Sequence, residues 1–220
     1  MNPAQKYDPQ KDFTPIALIG TAPVLLVAGA HAKVKDLDAF LALVKRNPGK
    51  FSYGSSGVGS LQHFAGELVK QHAGVFMTHI PYRSGSALTS DVAGGTLDFA
   101  GLSPIAAAPF LQGGRIVPLG VTSARRLSGL PQVPALGEHP LLKGYELSGW
   151  FAVAGPRNLP ADVVLRIRSA LQAGLQDPAV RWRLEEGGTL PASGGENVAQ
   201  VMRETVAKYA GLVKFANIRE

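Results

Sequence analysis

The stretch "FSYGSSGVGSLQHFAGELV" (residues 51–69) sets Ser55, Ser56, Gly57, Val58, Gly59 and Ser60 between a strand pattern and a helix pattern. Four roles suit such a loop: a nucleophile turn, a phosphate cradle, a carboxylate trap, or a tight connection. A nucleophile elbow requires G-x-S-x-G, because the glycines make room for a strained turn. Around Ser56 the residues run Gly54, Ser55, Ser56, Gly57, Val58, so the last glycine is missing. His63 could serve Ser56 as a base, with Asp91 or Asp98 to orient it, and an esterase of this kind is the alternative function. A phosphate-binding loop requires G-x-x-x-x-G-K-[ST]. Gly54 and Gly59 have that separation, but Ser60 stands where the lysine must be. A dinucleotide fingerprint on Gly57 and Gly59 would need a glycine at Gln62. His31, His63, His72, His79 and His139 show no metal-ligand spacing.

One physical feature is common to all these sites. A helix N-terminus leaves N–H groups unpaired, and the helix dipole adds partial positive charge. Glycine lets a ligand approach the backbone, and serine hydroxyls supply adaptable donors. Without a lysine, such a site suits a small, singly charged anion, a carboxylate better than a polyphosphate. The structural alternative is a plain turn with Ser60 or Ser56 as helix cap. A second loop of the same kind favours binding: Ser84, Gly85 and Ser86 follow "HIPYR" at the start of another short helix. In a parallel sheet neighbouring strand ends open on one edge, so both loops would face one crevice. Ser103, after "DFAGL", is a third contributor.

The elements that must position these loops follow from hydrophobic period. "IALIGTAPVLLVAGA" reads as two short buried strands meeting at "GTAP", and is too interrupted for the ~20 apolar residues of a membrane span. "LDAFLALVKRNPG" predicts a helix capped by Asp36, with Leu37, Phe40, Leu41 and Val44 inward and Pro48-Gly49 as the stop. "SLQHFAGELVKQHAG" predicts a helix with Leu61, Phe64, Ala65, Leu68 and Val69 inward. Strands at "VFMTHIPY", "TLDFAGL" and "RIVPLGVTS" alternate with short helices at "SALTSDVAGG" and "PIAAAPFLQGG". This rhythm predicts an α/β fold with a mostly parallel sheet. Residues 124–146 are rich in proline and glycine and form the only plausible boundary. A strand at "LSGWFAVAGP" and helices from Pro160 to Gln176 and from about Glu196 complete the chain.

Composition bounds the function. The 220 residues are 45% hydrophobic and 17% charged, which is globular and not disordered. The absence of cysteine excludes disulfides, thiolate catalysis and cysteine-ligated metals. The net charge is +6, but the basic residues are scattered and no basic stripe interleaves with aromatics, so no nucleic-acid partner is expected. No cofactor is called for. "MNPAQKYDPQKDF" lacks a basic segment followed by an apolar core, so it is not a signal peptide.

Several long segments together resemble one family. "FSYGSSGVGSLQHFAGELVKQHAG", "HIPYRSGSALTSDVAGGTLDF", "VPLGVTSARRLSGLPQVPALGE" and "GYELSGWFAVAGPRNLPADVVLRI" are similar to the extracytoplasmic solute receptors of tripartite tricarboxylate transporters, the Bug-type receptors. The resemblance implies a type II-like periplasmic-binding-protein clamshell, not an enzyme, that captures a small carboxylate between two α/β domains. Dicarboxylates, tricarboxylates and aromatic acids are the ligand class, and the transporter's membrane components are the partners. Residues 55–60 match the loop that faces the ligand carboxylate, while His63, Glu67 and Tyr82 match supporting positions. Two departures touch ligand identity: Ser84 replaces the glycine that usually follows the basic residue, and Ala100-Gly101 replace a polar position.

Family members begin with a signal peptide and a proline- and glycine-rich ligand loop, which this sequence does not contain. The expected organisation is therefore a clamshell truncated at the N-terminus. Residues 1–28 are a residual first-domain segment with a crossing strand, 29–138 a complete second domain, and 139–220 the C-terminal part of the first. Periplasmic location follows from the resemblance, and cytoplasmic location if the chain is the whole gene product. The helices after Pro160 would leave apolar faces uncovered, which predicts self-association through the first domain.

Overall fold

The structure, a computed structural model, describes residues 6–218. Contacts divide them into two compact units, one gathering the N-terminal stretch through Ala22 with Gly149–Ile218, the other Pro23–Ser148.

The second unit is built on a five-stranded sheet. In chain order its elements are β2 (Leu25–Gly29), α1 (Leu37–Arg46), β3 (Ser52–Ser55), α2 (Leu61–Ala73), β4 (Thr78–Pro81), α3 (Gly85–Gly94), β5 (Phe99–Leu102), α4 (Pro104–Gln112) and β6 (Ile116–Val121). The strand order is β4-β3-β5-β2-β6. β3 is parallel to β4 and to β5, whereas β2 is antiparallel to both β5 and β6. All strands except β2 therefore run in one direction, so the mostly parallel expectation holds with one reversed strand. β2 occupies a central position, and Leu25, Leu26, Val27 and Ala28 are buried on both faces. That is why it reads as an unbroken apolar run and not as an alternation.

α1 starts where Asp36 Oδ1 accepts the Ala39 amide at 2.8 Å, and it buries Leu37, Phe40, Leu41 and Val44 as the period requires. Phe40 packs edge-on to Phe99, ring centroids 4.6 Å apart, tying α1 to the sheet. α2 departs from expectation. Leu61, Phe64 and Leu68 are only half-buried, while His63 and Glu67 are buried beside Ala65, Gly66 and Val69. The reason is the ring of Tyr53 on β3. A Cβ at Gly66 would stand 2.1 Å from Tyr53 Cε2, so the glycine sets the close approach and turns the polar residues inward. Residues 124–146 form a long connection with two short 3₁₀ turns, Leu136–Glu138 and Pro140–Leu142.

The first unit carries a three-stranded sheet of β1 (Phe13–Pro23), β7 (Ser148–Pro156) and β8 (Leu190–Pro191), ordered β7-β1-β8. Its helices are α5 (Ala161–Gln176), α6 (Pro178–Glu186) and α7 (Val198–Phe215). Its core is small: Leu18, Leu175, Ala192 and Val198, with Trp150, Leu184 and Met202 packed around them. Trp150 donates to Thr205 Oγ1 at 3.0 Å. α5 fully buries only Leu175, and Leu165 remains 61% exposed. No helix among the described residues is long and apolar enough to cross a membrane.

Candidate functional site

The parallel pairing fixes where the serine loops lie. Gly54 on β3 pairs with Ile80 on β4 and with Ala100 on β5, so the C-terminal ends of the three strands open on one sheet edge. Each strand is followed by a helix whose N-cap is a serine. Ser60 Oγ accepts the His63 amide at 3.2 Å, Ser84 Oγ the Ala87 amide at 3.2 Å, and Ser103 Oγ the Ala106 amide at 3.3 Å. A capping serine satisfies one first-turn donor and leaves the others without an intrahelical acceptor. Three helix N-termini therefore face the edge, each with partial positive charge.

The loop after β3 is the most elaborated of the three. Gly57 (φ +122°) and Gly59 (φ +75°) adopt backbone conformations that L side chains rarely take. Ser56, Val58 and Gly59 are exposed. Ser60 Oγ donates to the Gly57 carbonyl at 2.7 Å, closing the turn. Ser55 lies beneath it, fully buried, and its hydroxyl meets Gly57 O at 2.9 Å and His79 Nε2 at 2.7 Å. Its place is structural support, away from solvent. In the second loop Ser84, Gly85 and Ser86 are exposed, with Ser84 Oγ and Ser86 Oγ 3.1 Å apart. Tyr82 ties the two loops together: its amide donates to Ser55 O at 2.9 Å and its hydroxyl to Asp91 Oδ2 at 2.8 Å. Burial, then the bond to Asp91, pushes the Tyr82 hydroxyl up to about 12.

Sequence reasoning missed His79. Its ring stacks on that of His63, with centroids 3.7 Å apart and planes within 5°. Its alternation in "MTHIP" was legible, but nothing local reveals that β4 brings it over α2. Below the pair, Glu67 accepts from Tyr53 Oη at 2.6 Å and pairs with Lys70 Nζ at 2.7 Å. Burial, and then the bond to Glu67, raises the Tyr53 hydroxyl far above its ordinary range.

The Ser56–His63 pair of the esterase alternative is not assembled. Ser56 Oγ donates to Gln62 Oε1 at 3.0 Å, while His63 Nδ1 accepts the Gly59 amide at 3.1 Å. Asp91 is bonded to Tyr82, and Asp98 accepts from Ser52. A nucleophile, a base and an orienting acid therefore do not converge there. No cluster of three or more metal-ligating side chains occurs among the described residues. The edge can offer a ligand backbone N–H groups, hydroxyls and open space at glycine; the 56–60 loop carries no full positive charge, while exposed Arg83 stands in the second loop just before Ser84.

Comparison with known proteins finds relatives over nearly the whole chain. The profile described as "Tripartite tricarboxylate transporter family receptor" matches residues 1–218. A UPF0065 protein encoded in the tcbD-tcbE intergenic region of Pseudomonas sp. strain P51 is 32% identical over 212 residues, covering 96% of this chain and 63% of the relative. The chain thus spans less than two thirds of that relative's length. Among solved structures, R. palustris Rpa4515 with adipate superposes with a TM-score of 0.85 at 31% identity, over 99% of this chain and 73% of that one. MatC from Rhodopseudomonas palustris with bound malate gives 0.80 at 26% identity, over 96% and 72%.

Proposed function

The chain belongs to the tripartite tricarboxylate transporter receptor family, and on that premise we propose that it captures a small carboxylate at the serine-capped edge of the β3, β4 and β5 strands. One observation carries the reading: three helix N-termini, capped by Ser60, Ser84 and Ser103, follow parallel neighbouring strands and open on one edge. A carboxylate there accepts from first-turn N–H groups of α2 and α3, and Ser56, Ser84 and Ser86 supply hydroxyl donors. Gly57, Val58, Gly59 and Gly85 shape the backbone approach, while Ser55, His63 and Tyr82 support it. The solved neighbours bound to adipate and malate supply the ligand class. The activity is that of a periplasmic solute receptor handing its ligand to the membrane components of a tripartite transporter.

Isothermal calorimetry with adipate and with malate tests this reading. One acid bound per chain, weakened about tenfold or more when Ser56→Ala and Ser84→Ala are combined, is the expected outcome. Failure of every C4 to C6 diacid to bind at millimolar concentration refutes it. Turnover of an activated ester that is lost in Ser56→Ala would return the esterase reading.

A second proposal concerns the first unit. Val163, Arg166, Ile167 and Ala170 of α5 line a shallow surface groove of about 430 Å³, and Phe151 on the edge strand β7 is 54% exposed. An unpaired strand edge and an exposed apolar helix face each favour self-association.

A further inference from the structure

We propose that His63 and His79 are positioning residues for the 56–60 loop, and that the Gly59 anchor holds only while the His63 imidazole is uncharged. The inference rests on reading that loop as the carboxylate site. The hydrogen bonds fix the tautomer of His63, and the placement of the Ser55 proton assigns that of His79. Ser55 Oγ has a single proton, and it lies against Gly57 O at 2.9 Å, so the hydroxyl accepts from the Gly57 amide at 3.2 Å and from His79 Nε2–H at 2.7 Å. His63 Nδ1 accepts the Gly59 amide at 3.1 Å, so its ring proton is on Nε2. Two of the loop's backbone amides, at Gly57 and Gly59, are thereby held through the two rings. Protonation of His63 puts a second N–H at Nδ1, directly against the Gly59 N–H. Donor then faces donor, the bond is lost, and the positive-φ turn at Gly59 loses its anchor.

The surroundings keep the pair neutral near pH 7. The rings face each other at 3.7 Å, so charge on one opposes charge on the other. On α2, Glu67 Oε1 lies 3.9 Å from His63 Nε2, but its charge is already taken up by Tyr53 Oη and by Lys70 Nζ. From β3 the Tyr53 ring lies 5.0 Å from that of His79, and Tyr145 lies near Tyr53 from the long connection. Burial first, and His63 second, pushes His79 down to about 4. Burial lowers His63 as well, against the opposing pull of Glu67. The loop is therefore anchored at neutral pH and released as the pH falls below the ordinary histidine range.

His63→Asn separates positioning from bulk structure, because asparagine Oδ1 can take the Gly59 amide and cannot titrate. Affinity for adipate is measured at pH 7.5 and 5.0 in both proteins and read as the native-to-variant ratio, which cancels titration of the acid itself. Native affinity is expected to fall at least tenfold further than that of the variant. Parallel falls in the two proteins overturn the proposal. A readout without ligand runs on the full native chain: the Gly59 amide, followed by ¹⁵N NMR between pH 7.5 and 4.5, is expected to shift, and to lose protection relative to its intrinsic exchange rate, with the midpoint of the His63 ring. A Gly59 amide that stays unchanged while His63 titrates also overturns it, and this measurement decides if His63→Asn fails to fold. If adipate binds at no pH while the Gly59 amide follows His63, the carboxylate reading falls and the positioning role stands.

Discussion

Gly57→Ala and Gly85→Ala add the same methyl group to two neighbouring loops and should move stability in opposite directions. At Gly57 the nearest atom to an added Cβ is the Tyr82 carbonyl oxygen at 3.9 Å, so there is no clash. The penalty is conformational, because φ is +122°. Holding a non-glycine residue in such a region costs about 1–3 kcal/mol. The lower unfolded-state entropy of alanine returns about 0.4–1 kcal/mol, leaving a net loss of about 1–2 kcal/mol. Gly85 opens α3 without positive φ, and an added Cβ meets nothing within 4 Å. There only the entropy effect remains, a gain of about 0.4–1 kcal/mol. The variants should therefore differ by about 2 kcal/mol, roughly thirtyfold in the opening equilibrium. Trp150 and Trp182 both lie outside Pro23–Ser148, so tryptophan fluorescence reports the wrong unit. Hydrogen exchange by mass spectrometry, on peptides covering β2 and β5 in graded urea, reads the right one. Equal effects, or a neutral Gly57→Ala, would refute the argument that strain and not space reserves position 57 for glycine.

Gly66→Ala should destabilise the same unit despite alanine's better helix propensity, worth up to about 1 kcal/mol. Its Cβ would meet the buried Tyr53 ring at 2.1 Å, and overpacking of that kind costs about 1–3 kcal/mol; a urea midpoint that rises would sink this. Stability should fall with acidification between about pH 6.5 and 4. His79 is held near 4 in the fold against 6.5 unperturbed, so the unfolded chain takes up the proton first and the stabilisation present above 6.5 drains away as pH drops. Denaturant titrations of native protein and His79→Gln check it, the variant losing part of that slope. Ile167→Glu combined with Phe151→Ser should shift light-scattering mass toward the single chain, and a native chain that is already monomeric at high concentration would remove the self-association proposal.

The fold class was legible because hydrophobic period and turn chemistry agree over most of the chain. The apolar face of α1, its Asp36 cap, and the Gly57 and Gly59 positions could be read from local pattern, since capping and positive φ are local demands. The segments resembling the receptor family likewise lie in the sequence in order, and the profile match over residues 1–218 bears that resemblance out. The face of α2 was not legible. Period alone puts Leu61, Phe64 and Leu68 inward, yet Gly66 over Tyr53 rotates His63 and Glu67 into the interior instead. The reversal of β2 was equally hidden, because a strand buried on both faces carries no mark of its direction.

Local sequence, then, determined the parts: serine caps, glycine turns, and an α/β alternation suited to holding a small anion. Only the tertiary structure decided how they meet. Parallel pairing of β3 with β4 and β5 sets three capped helix ends on one edge. It also brings His79 of β4 onto His63 of α2, residues 16 positions apart that share no periodic relation. Pairing and stacking of this kind depend on which strands become neighbours, and that is settled by burial of the whole core.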